Sequence, residues 1–209
     1  MKLLVATRNR HKLAEIRAIL GLPGVELVGA DEIPRLPDVV EDAPTFEGNA
    51  LKKACTLCRA SGLWTLADDS GLEVDALGGA PGVHSARYAG APASYSANNA
   101  KLLAALAGAA DRRARFRCVL ALCAPDGRTW MVEGRCEGRI NNQPRGAGGF
   151  GYDPLFVPDG HDSTFAELPA AVKNGLSHRG MALRQAKVAW HALLSQTRGQ
   201  RPRLHPNLG

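Results

Sequence analysis

Two adjacent carboxylates, Asp68 and Asp69, follow an apolar run at residues 64–67 and precede Ser70 and Gly71. This order is typical of a β-strand that ends in a turn, and ligands of α/β proteins commonly bind where strands end. Two neighbouring carboxylates repel each other unless a cation or a proton neutralises them. Mg²⁺ prefers such oxygen ligands. The segment indicates a metal site, although an ordinary exposed turn fits the same residues.

A second candidate site lies at residues 7–12, between a predicted strand at residues 2–6 and a helical repeat that begins at Leu13. A strand, a polar turn and a helix N-terminus form an anion-binding arrangement, because free backbone N–H groups point at the ligand. Thr7 and Asn9 add donors, and Lys12 adds a positive charge. The turn lacks the glycines and the Lys-Ser/Thr pair of a Walker A loop. A capped surface helix is the alternative.

A third unusual stretch, residues 146–154, contains four glycines that surround two aromatic residues, Phe150 and Tyr152, and one acid, Asp153. Glycine permits a close backbone approach, and an aromatic ring can stack on a flat ligand. Asp153 could then accept hydrogen bonds from ring N–H groups. The alternative is a flexible hairpin with both aromatic side chains in the core.

The last predicted helix, residues 179–195, follows Ser177 as its N-cap. His178 and Arg179 lie in its first turn, where the helix dipole disfavours positive charge. This placement weakly favours an anionic ligand or a base edge, and Lys173 lies nearby in sequence.

The remaining elements follow from periodicity and turn residues. We expect a strand at residues 25–28, an acidic, proline-rich loop at 31–44 and a helix capped by Thr45 whose Asn49, Lys52 and Lys53 lie away from its apolar face. We expect a short strand at residues 72–77, a helix at 95–106 with Asn98 and Asn99 exposed, a solvated connection at 112–115, and a hairpin of strands 116–124 and 129–140.

Composition bounds the protein class. The 209 residues suit one domain at residues 1–196, followed by an Arg/Pro-rich tail at 197–209 that we expect to be disordered. No apolar run is long enough for a membrane span, and the N-terminus is too short for a signal peptide, so we expect a cytoplasmic protein. The five cysteines are expected to be free thiols. The net charge of +6 suits nucleic acid or a polyanionic small molecule, but no basic run is interleaved with aromatics.

Together these segments contain what hydrolysis of a nucleoside triphosphate needs. Residues 7–12, with Lys53 as an optional addition, form a polyphosphate site; Glu41, Asp68 and Asp69 form a carboxylate metal site; and the region of Phe150 forms a site for a flat ring. Catalysis of such a reaction would consist mostly of positioning and charge neutralisation.

The chain resembles the inosine triphosphate pyrophosphatase (Ham1-like) family in five ordered blocks, at residues 7–12, 45–54, 66–90, 148–156 and 177–180. The resemblance implies an elongated α/β homodimer, in which helices flank a mixed central β-sheet and an active-site cleft separates two lobes. It implies Mg²⁺-dependent cleavage of ITP, dITP and XTP to the monophosphate and pyrophosphate. It implies neither a nucleic-acid partner nor a membrane.

The resemblance also implies roles for particular residues. Asp69 matches the general base and a metal ligand, and Glu41 matches the second metal ligand, for which Asp38 or Asp42 are alternatives. Arg8 stands where some members have glycine. The 6-oxo group of the base would accept hydrogen bonds, which a 6-amino group cannot do. The matching substrate-binding residues are Thr7, Arg8, Asn9, Arg10, His11, Lys12, Ser70, Phe150, Gly151, Tyr152, Asp153, Lys173, His178 and Arg179.

Three other functions compete with this one. A phosphatase of the haloacid dehalogenase type would release orthophosphate, but it needs Asp-x-Asp where this chain has adjacent acids. A basic nucleic-acid-binding module would bind with a steep salt dependence and without turnover. An enzyme for pyrimidine or modified nucleotides on a related fold would differ only in its substrate panel.

Overall fold

The computed structural model describes residues 1–196, in which six strands form one mixed sheet. The strands are β1 (Lys2–Val5), β2 (Glu26–Gly29), β3 (Trp64–Val74), β4 (Arg113–Cys123), β5 (Thr129–Ile140) and β6 (Phe156–Pro158). Their order is β2-β1-β3-β4-β5-β6. The first three are parallel and the remaining pairs antiparallel, which confirms the mixed sheet. The tail at residues 197–209 lies outside the described residues.

Within the described residues, five α-helices accompany the sheet: α1 (Arg10–Leu20), α2 (Phe46–Ser61), α3 (Tyr95–Ala105), α4 (Ala170–Leu176) and α5 (His178–Gln196). The sequence predicted all of these except the short α4, and it also missed β6. Thr45 caps α2 as expected, because its Oγ1 accepts a hydrogen bond from the backbone N–H of Gly48 at 3.1 Å. Ser177 likewise caps α5 through the N–H of Gly180.

The two faces of the sheet carry different helices, because successive strand residues point to opposite sides. Leu66 packs with α1 and α5, whereas the next residue, Ala67, packs under α2. A third hydrophobic cluster, around Phe116, Tyr152 and Phe156, covers the opposite end of the long strands. The candidate site lies where these clusters meet.

The acidic segment at residues 68–71 is not a turn, and this prediction was wrong. β3 continues through it to Val74 and pairs with β4 along this length, with Asp68 opposite Leu120 and Ser70 opposite Cys118. β4 itself starts at Arg113, so most of the expected solvated connection is strand. The neighbouring β1, however, ends at Val5, opposite Leu66. The edge of β3 beyond Leu66 is therefore open on that side, and this opening admits a site.

Two further expectations about side chains have clear outcomes. Asn98 was expected to be exposed but is buried, because its amide bonds the backbone of Ser85, Ala86 and Ala89. All five cysteines are free thiols, as predicted.

No helix within residues 1–196 has the length and apolar character that a bilayer crossing requires.

Candidate active site

Two adjoining cavities lie beside the open edge of β3. The larger, called the large cleft, has a volume of about 300 Å³, and the smaller, called the small pocket, about 100 Å³. The large cleft contains the acidic side chains, and the small pocket contains most of the aromatic ones. The cavities share Asn9, Lys12, Ser70 and Ala86.

Asp68 and Asp69 point to opposite faces of the sheet, so they do not form one metal site. Asp68 is buried on the side of α1 and α5, where its carboxylate binds Lys12 Nζ at 2.6 Å and Arg179 Nε at 2.7 Å. Burial raises the pKa of Asp68, but the charges of Arg179 and Lys12 outweigh burial, and the pKa lies well below its usual value. Asp68 is therefore an ionised anchor for two cations.

Asp69 lies on the side of α2 and has an incomplete environment. Lys53 Nζ is 3.5 Å from its Oδ1, and within residues 1–196 the buried Oδ2 has no hydrogen-bond partner. Burial raises the pKa of Asp69 to about 6, because the charges of Glu41 and Asp68 add to burial and outweigh Lys53 and Lys12. A buried carboxylate oxygen without a partner is costly, and a cation or a water would satisfy it.

Glu41 supplies a second carboxylate on the same side, 2.9 Å from Lys53 Nζ. Of the two alternatives, Asp38 also lines the large cleft, where it binds Arg8, whereas the exposed Asp42 lies outside the cleft lining and binds Lys52 at 2.6 Å. No group of three or more His, Cys, Asp or Glu side chains in the described part of the chain could hold a metal ion. Two carboxylates fit Mg²⁺, which keeps several waters and commonly takes phosphate oxygens as further ligands.

Lys53 was expected on the outer side of α2, but it is buried and central. Its ammonium also donates to the backbone oxygen of Asp68 at 2.8 Å. Asn49 is buried as well, bonding the backbone of Ala43. The spacing contained this information, because Asn49 and Lys53 lie three residues after Phe46 and Ala50, which form the apolar stripe.

The turn at residues 7–12 is built differently from the predicted nest of free N–H groups. Asn9 is the N-cap of α1, and its Oδ1 accepts from the N–H groups of His11 and Lys12 at 3.0 and 3.3 Å. Thr7, Arg8, Asn9 and Lys12 line the large cleft, whereas Arg10 and His11 line neither cavity. Side chains therefore contribute more than the backbone to this wall.

His11 instead stacks on Phe150, which lines the small pocket. Their rings are stacked, with centroids 5.2 Å apart and planes inclined by 16°. Tyr95 of α3 lies 6.1 Å from the same phenyl ring. Gly149 makes this loop possible, since its φ is +71° and a Cβ there would lie 2.1 Å from Asp153 Oδ2. Phe150 is thus held between elements from both sides of the site.

Asp153 and Tyr152 line the small pocket and are also bonded to other parts of the protein. Asp153 is buried, and its Oδ2 accepts from Lys173 Nζ at 2.6 Å and from the N–H of Phe150 at 2.8 Å. Both of these bonds use Oδ2, and the role of Asp153 as an acceptor for ring N–H groups stays a prediction. The hydroxyl of Tyr152 donates to the backbone oxygen of Ser85 at 2.9 Å, so the core interpretation is correct for this ring. Gly151 accepts through its carbonyl from Asn99.

Glu15 of α1 was not singled out from the sequence, yet it joins the cations of the small pocket. Its two oxygens bind Lys173 Nζ at 2.9 Å and Arg179 Nη1 at 2.6 Å. The result is a balanced ionic network of three acids and three bases. Its members are Lys12, Glu15, Asp68, Asp153, Lys173 and Arg179. Because each long side chain is fixed at its end, the donors that face the small pocket are preorganised.

His178 is buried between this network and the core. Its ring is stacked on Phe116, with centroids 4.6 Å apart, and its Nδ1 has no hydrogen-bond partner in the described region. Burial and the positive charge of Arg179 push the pKa of His178 well below its usual value. A neutral imidazole offers one donor and one acceptor to a ligand in the small pocket.

Comparisons with known proteins agree with this geometry. The model of the Ham1 family matches residues 3–189. A dITP/XTP pyrophosphatase of Geobacter sulfurreducens is 52% identical over 197 residues, which cover 92% of this chain and 98% of that protein. One from Nocardia farcinica is 51% identical over 201 residues, covering 94% and 98%.

Solved structures show the same fold. The Ham1 protein of Staphylococcus aureus aligns with a TM-score of 0.83 at 38% identity, covering 95% of this chain and all of that one (100%). A nucleoside-triphosphatase / dITP/XTP pyrophosphatase of Mycobacterium abscessus aligns with a TM-score of 0.74 at 48% identity, covering 88% and 98%. The family match at residues 3–189 spans the residues that line the two cavities.

Proposed function

The chain belongs to the Ham1 family, and we propose that it is a hydrolase that cleaves ITP, dITP and XTP to the monophosphate and pyrophosphate. The observation that carries this proposal is that two cavities with different linings join each other. A pocket with Phe150, Lys173 and Arg179 opens into a cleft that contains Glu41 and the incompletely bonded Asp69. The first suits a purine base, and the second suits a triphosphate with a divalent cation.

Glu41 and Asp69 would hold Mg²⁺, since the buried Oδ2 of Asp69 has no partner in the described part of the chain. When bound, the ion neutralises phosphate charge and polarises the phosphoryl group. Asp69 orients a water and takes its proton. Lys12 is fixed by Asp68 at 2.6 Å and presents its charge where the two cavities join. Lys53 neutralises part of the negative charge of Glu41 and Asp69.

Base selection depends on hydrogen-bond donors whose orientation is fixed by neighbouring acids. Lys173 and Arg179 are buried and bonded on their far sides by Glu15, so their remaining N–H groups favour an acceptor such as a 6-oxo group. A 6-amino group would place donors against donors. Leaving such buried groups unpaired can reject a substrate by about 10⁴-fold.

A panel of nucleoside triphosphates with Mg²⁺, scored separately for pyrophosphate and orthophosphate, tests the proposal. We expect pyrophosphate from ITP, dITP and XTP, kcat/KM for ATP about 10⁴-fold lower, and loss of turnover in EDTA. Orthophosphate as the first product would favour the phosphatase alternative. A preference for pyrimidine nucleotides would favour the related house-cleaning enzyme, and absence of turnover with salt-sensitive nucleic-acid binding would favour the binding module. Homodimeric assembly and cytoplasmic location stay predictions.

His11 provides a prediction about the stacking end of the site. Because His11 covers one face of Phe150 without lining the small pocket, His11→Ala should raise the KM for ITP about 3- to 10-fold, the worth of one aromatic pair, and leave kcat nearly unchanged. His11→Phe keeps the stack and should retain the parental KM, whereas His11→Gln should behave like alanine. Equal effects of Phe and Gln would show that the ring contact does not matter.

A further inference from the structure

The cations that line the large cleft differ in how their charge is balanced. Lys12 is paired with Asp68, Lys53 with Glu41 and Asp69, and Arg8 with Asp38. Arg87 lines the same cleft, but within residues 1–196 it forms no ion pair, and its one hydrogen bond goes from Nη2 to the backbone oxygen of Glu41 at 2.8 Å. Arg87 is therefore the source of uncompensated positive charge on this wall.

The backbone fixes where Arg87 lies. It ends the short helical segment Gly82–Arg87, which packs directly on β3. The hydroxyl of Ser85 accepts from the N–H of Leu72 at 2.9 Å and donates to the oxygen of Gly82 at 2.6 Å. A Cβ at Gly71 would lie 2.4 Å from that same oxygen, so only glycine allows the approach. The segment that carries Arg87 is thus seated beside the catalytic end of β3.

The two cavities also define which part of a nucleotide Arg87 would meet. Asn9, Lys12, Ser70 and Ala86 belong to both cavities, so the bond between base-bearing sugar and α-phosphate lies near them. Arg87 lines the large cleft but not the small pocket, and it lies next to Glu41. Its position is therefore beyond the junction, where the β- and γ-phosphates extend.

Resting on the proposed function, we propose that Arg87 binds the β- and γ-phosphates and stabilises the pyrophosphate leaving group. Water adds to the α-phosphorus and gives its proton to Asp69, while the electron pair of the broken bond between that phosphorus and the bridging oxygen stays on this oxygen and leaves with pyrophosphate. Negative charge grows on that group in the transition state, and a fixed cation there lowers the barrier. A guanidinium also matches phosphate geometry and has four further N–H donors here.

Arg87→Gln and Arg87→Lys separate this role from support of the Glu41 loop. Glutamine keeps a donor for the Glu41 carbonyl but loses the charge, whereas lysine keeps the charge. We expect kcat/KM for ITP to fall about 10²-fold in Arg87→Gln and less than about tenfold in Arg87→Lys. The inhibition constant of pyrophosphate should rise in parallel in the glutamine variant, whereas that of IMP should not change.

A matched control removes the same charge elsewhere. Arg128→Gln lies in the exposed turn between β4 and β5, where Arg128 pairs with Asp126, and it should keep parental kinetics. Parental kinetics and parental pyrophosphate inhibition in Arg87→Gln would overturn the inference. So would equal losses in the Lys and Gln variants.

A direct measurement of pyrophosphate binding tests the role of Arg87 independently of catalytic turnover. Calorimetry of pyrophosphate with Mg²⁺ on the parental protein and on Arg87→Gln should show weaker binding in the variant by about tenfold or more. Failure of the parental protein to hydrolyse ITP would overturn the proposed function. Unchanged pyrophosphate affinity in Arg87→Gln, with hydrolysis intact in the parent, would overturn the role of Arg87 alone.

Discussion

Asp69→Asn is expected to lower kcat for ITP by about 10³-fold, the usual loss when a general base is removed, while the fold becomes more stable. The loss follows from position: the Oδ2 of Asp69 is buried in the large cleft and has no partner within the described residues. An amide cannot take a proton from water, and it is a weaker metal ligand than a carboxylate. The same substitution preserves the size and the strand position of the side chain.

The gain in stability follows from the direction of the pKa shift. The pKa of Asp69 is raised from 3.8 to about 6 in the folded protein, so between these pH values the folded state binds the proton more tightly than the unfolded state does. Stability therefore falls as pH rises through this window, and at neutral pH the buried charge costs about 3 kcal/mol. Asparagine removes that cost, and Lys53 keeps Glu41 as its partner.

Thermal unfolding without divalent cations measures the gain in stability, and pyrophosphate release with Mg²⁺ measures the loss of kcat. Mg²⁺ should raise the melting temperature of the parental protein but not that of Asp69→Asn, since a ligand stabilises only the state that binds it. Asp111→Asn is the control, because Asp111 is paired with Arg113 outside the two cavities. A near-parental rate in Asp69→Asn would show that another group is the base.

Much of the site was predictable because its residues flank apolar runs with a clear period. The turn before α1, the cap of α2 and the Phe150 loop all lie where the sequence predicted them. The prediction that β3 ends in a turn at residues 68–71 was wrong for a physical reason. Asp, Ser and Gly are poor strand formers, but pairing with the long β4 overrides that local preference. Such pairing is set by residues far away in the chain and leaves no local signal.

That one error changed the composition of the metal site. In a turn, Asp68 and Asp69 could face the same ion, whereas in a strand they must point to opposite faces. Glu15 shows the same limit, since its partners Lys173 and Arg179 lie 158 and 164 residues away along the chain. Arg87 had no sequence signal beyond its charge, and what distinguishes it is that this charge has no ion-pair partner among residues 1–196.

Asp68→Asn should lower the free energy of unfolding by about 3–5 kcal/mol, because it leaves buried cations without their counter-charge. This effect is opposite in sign to the one expected for Asp69→Asn. Lys12 and Arg179 both bind this carboxylate, and Ser70 and Cys118 donate to it at 3.0 and 3.1 Å. The depressed pKa of Asp68 gives the sign: its contribution is present above the usual pKa of the group and is lost as pH falls through the lowered value. Activity should fall too, because Lys12 and Arg179 lose their orientation.

Urea unfolding without Mg²⁺ compares the two variants directly. Asp68→Asn should unfold at lower urea than the parental protein and Asp69→Asn at higher urea, whereas Asp111→Asn should unfold close to the parental midpoint because it breaks only an exposed ion pair. The two acids are adjacent in sequence and have the same chemistry, so opposite signs can come only from the faces on which they lie. Shifts of the same sign in both variants would contradict the separation of an ionised anchor on one side of β3 from a metal-binding base on the other.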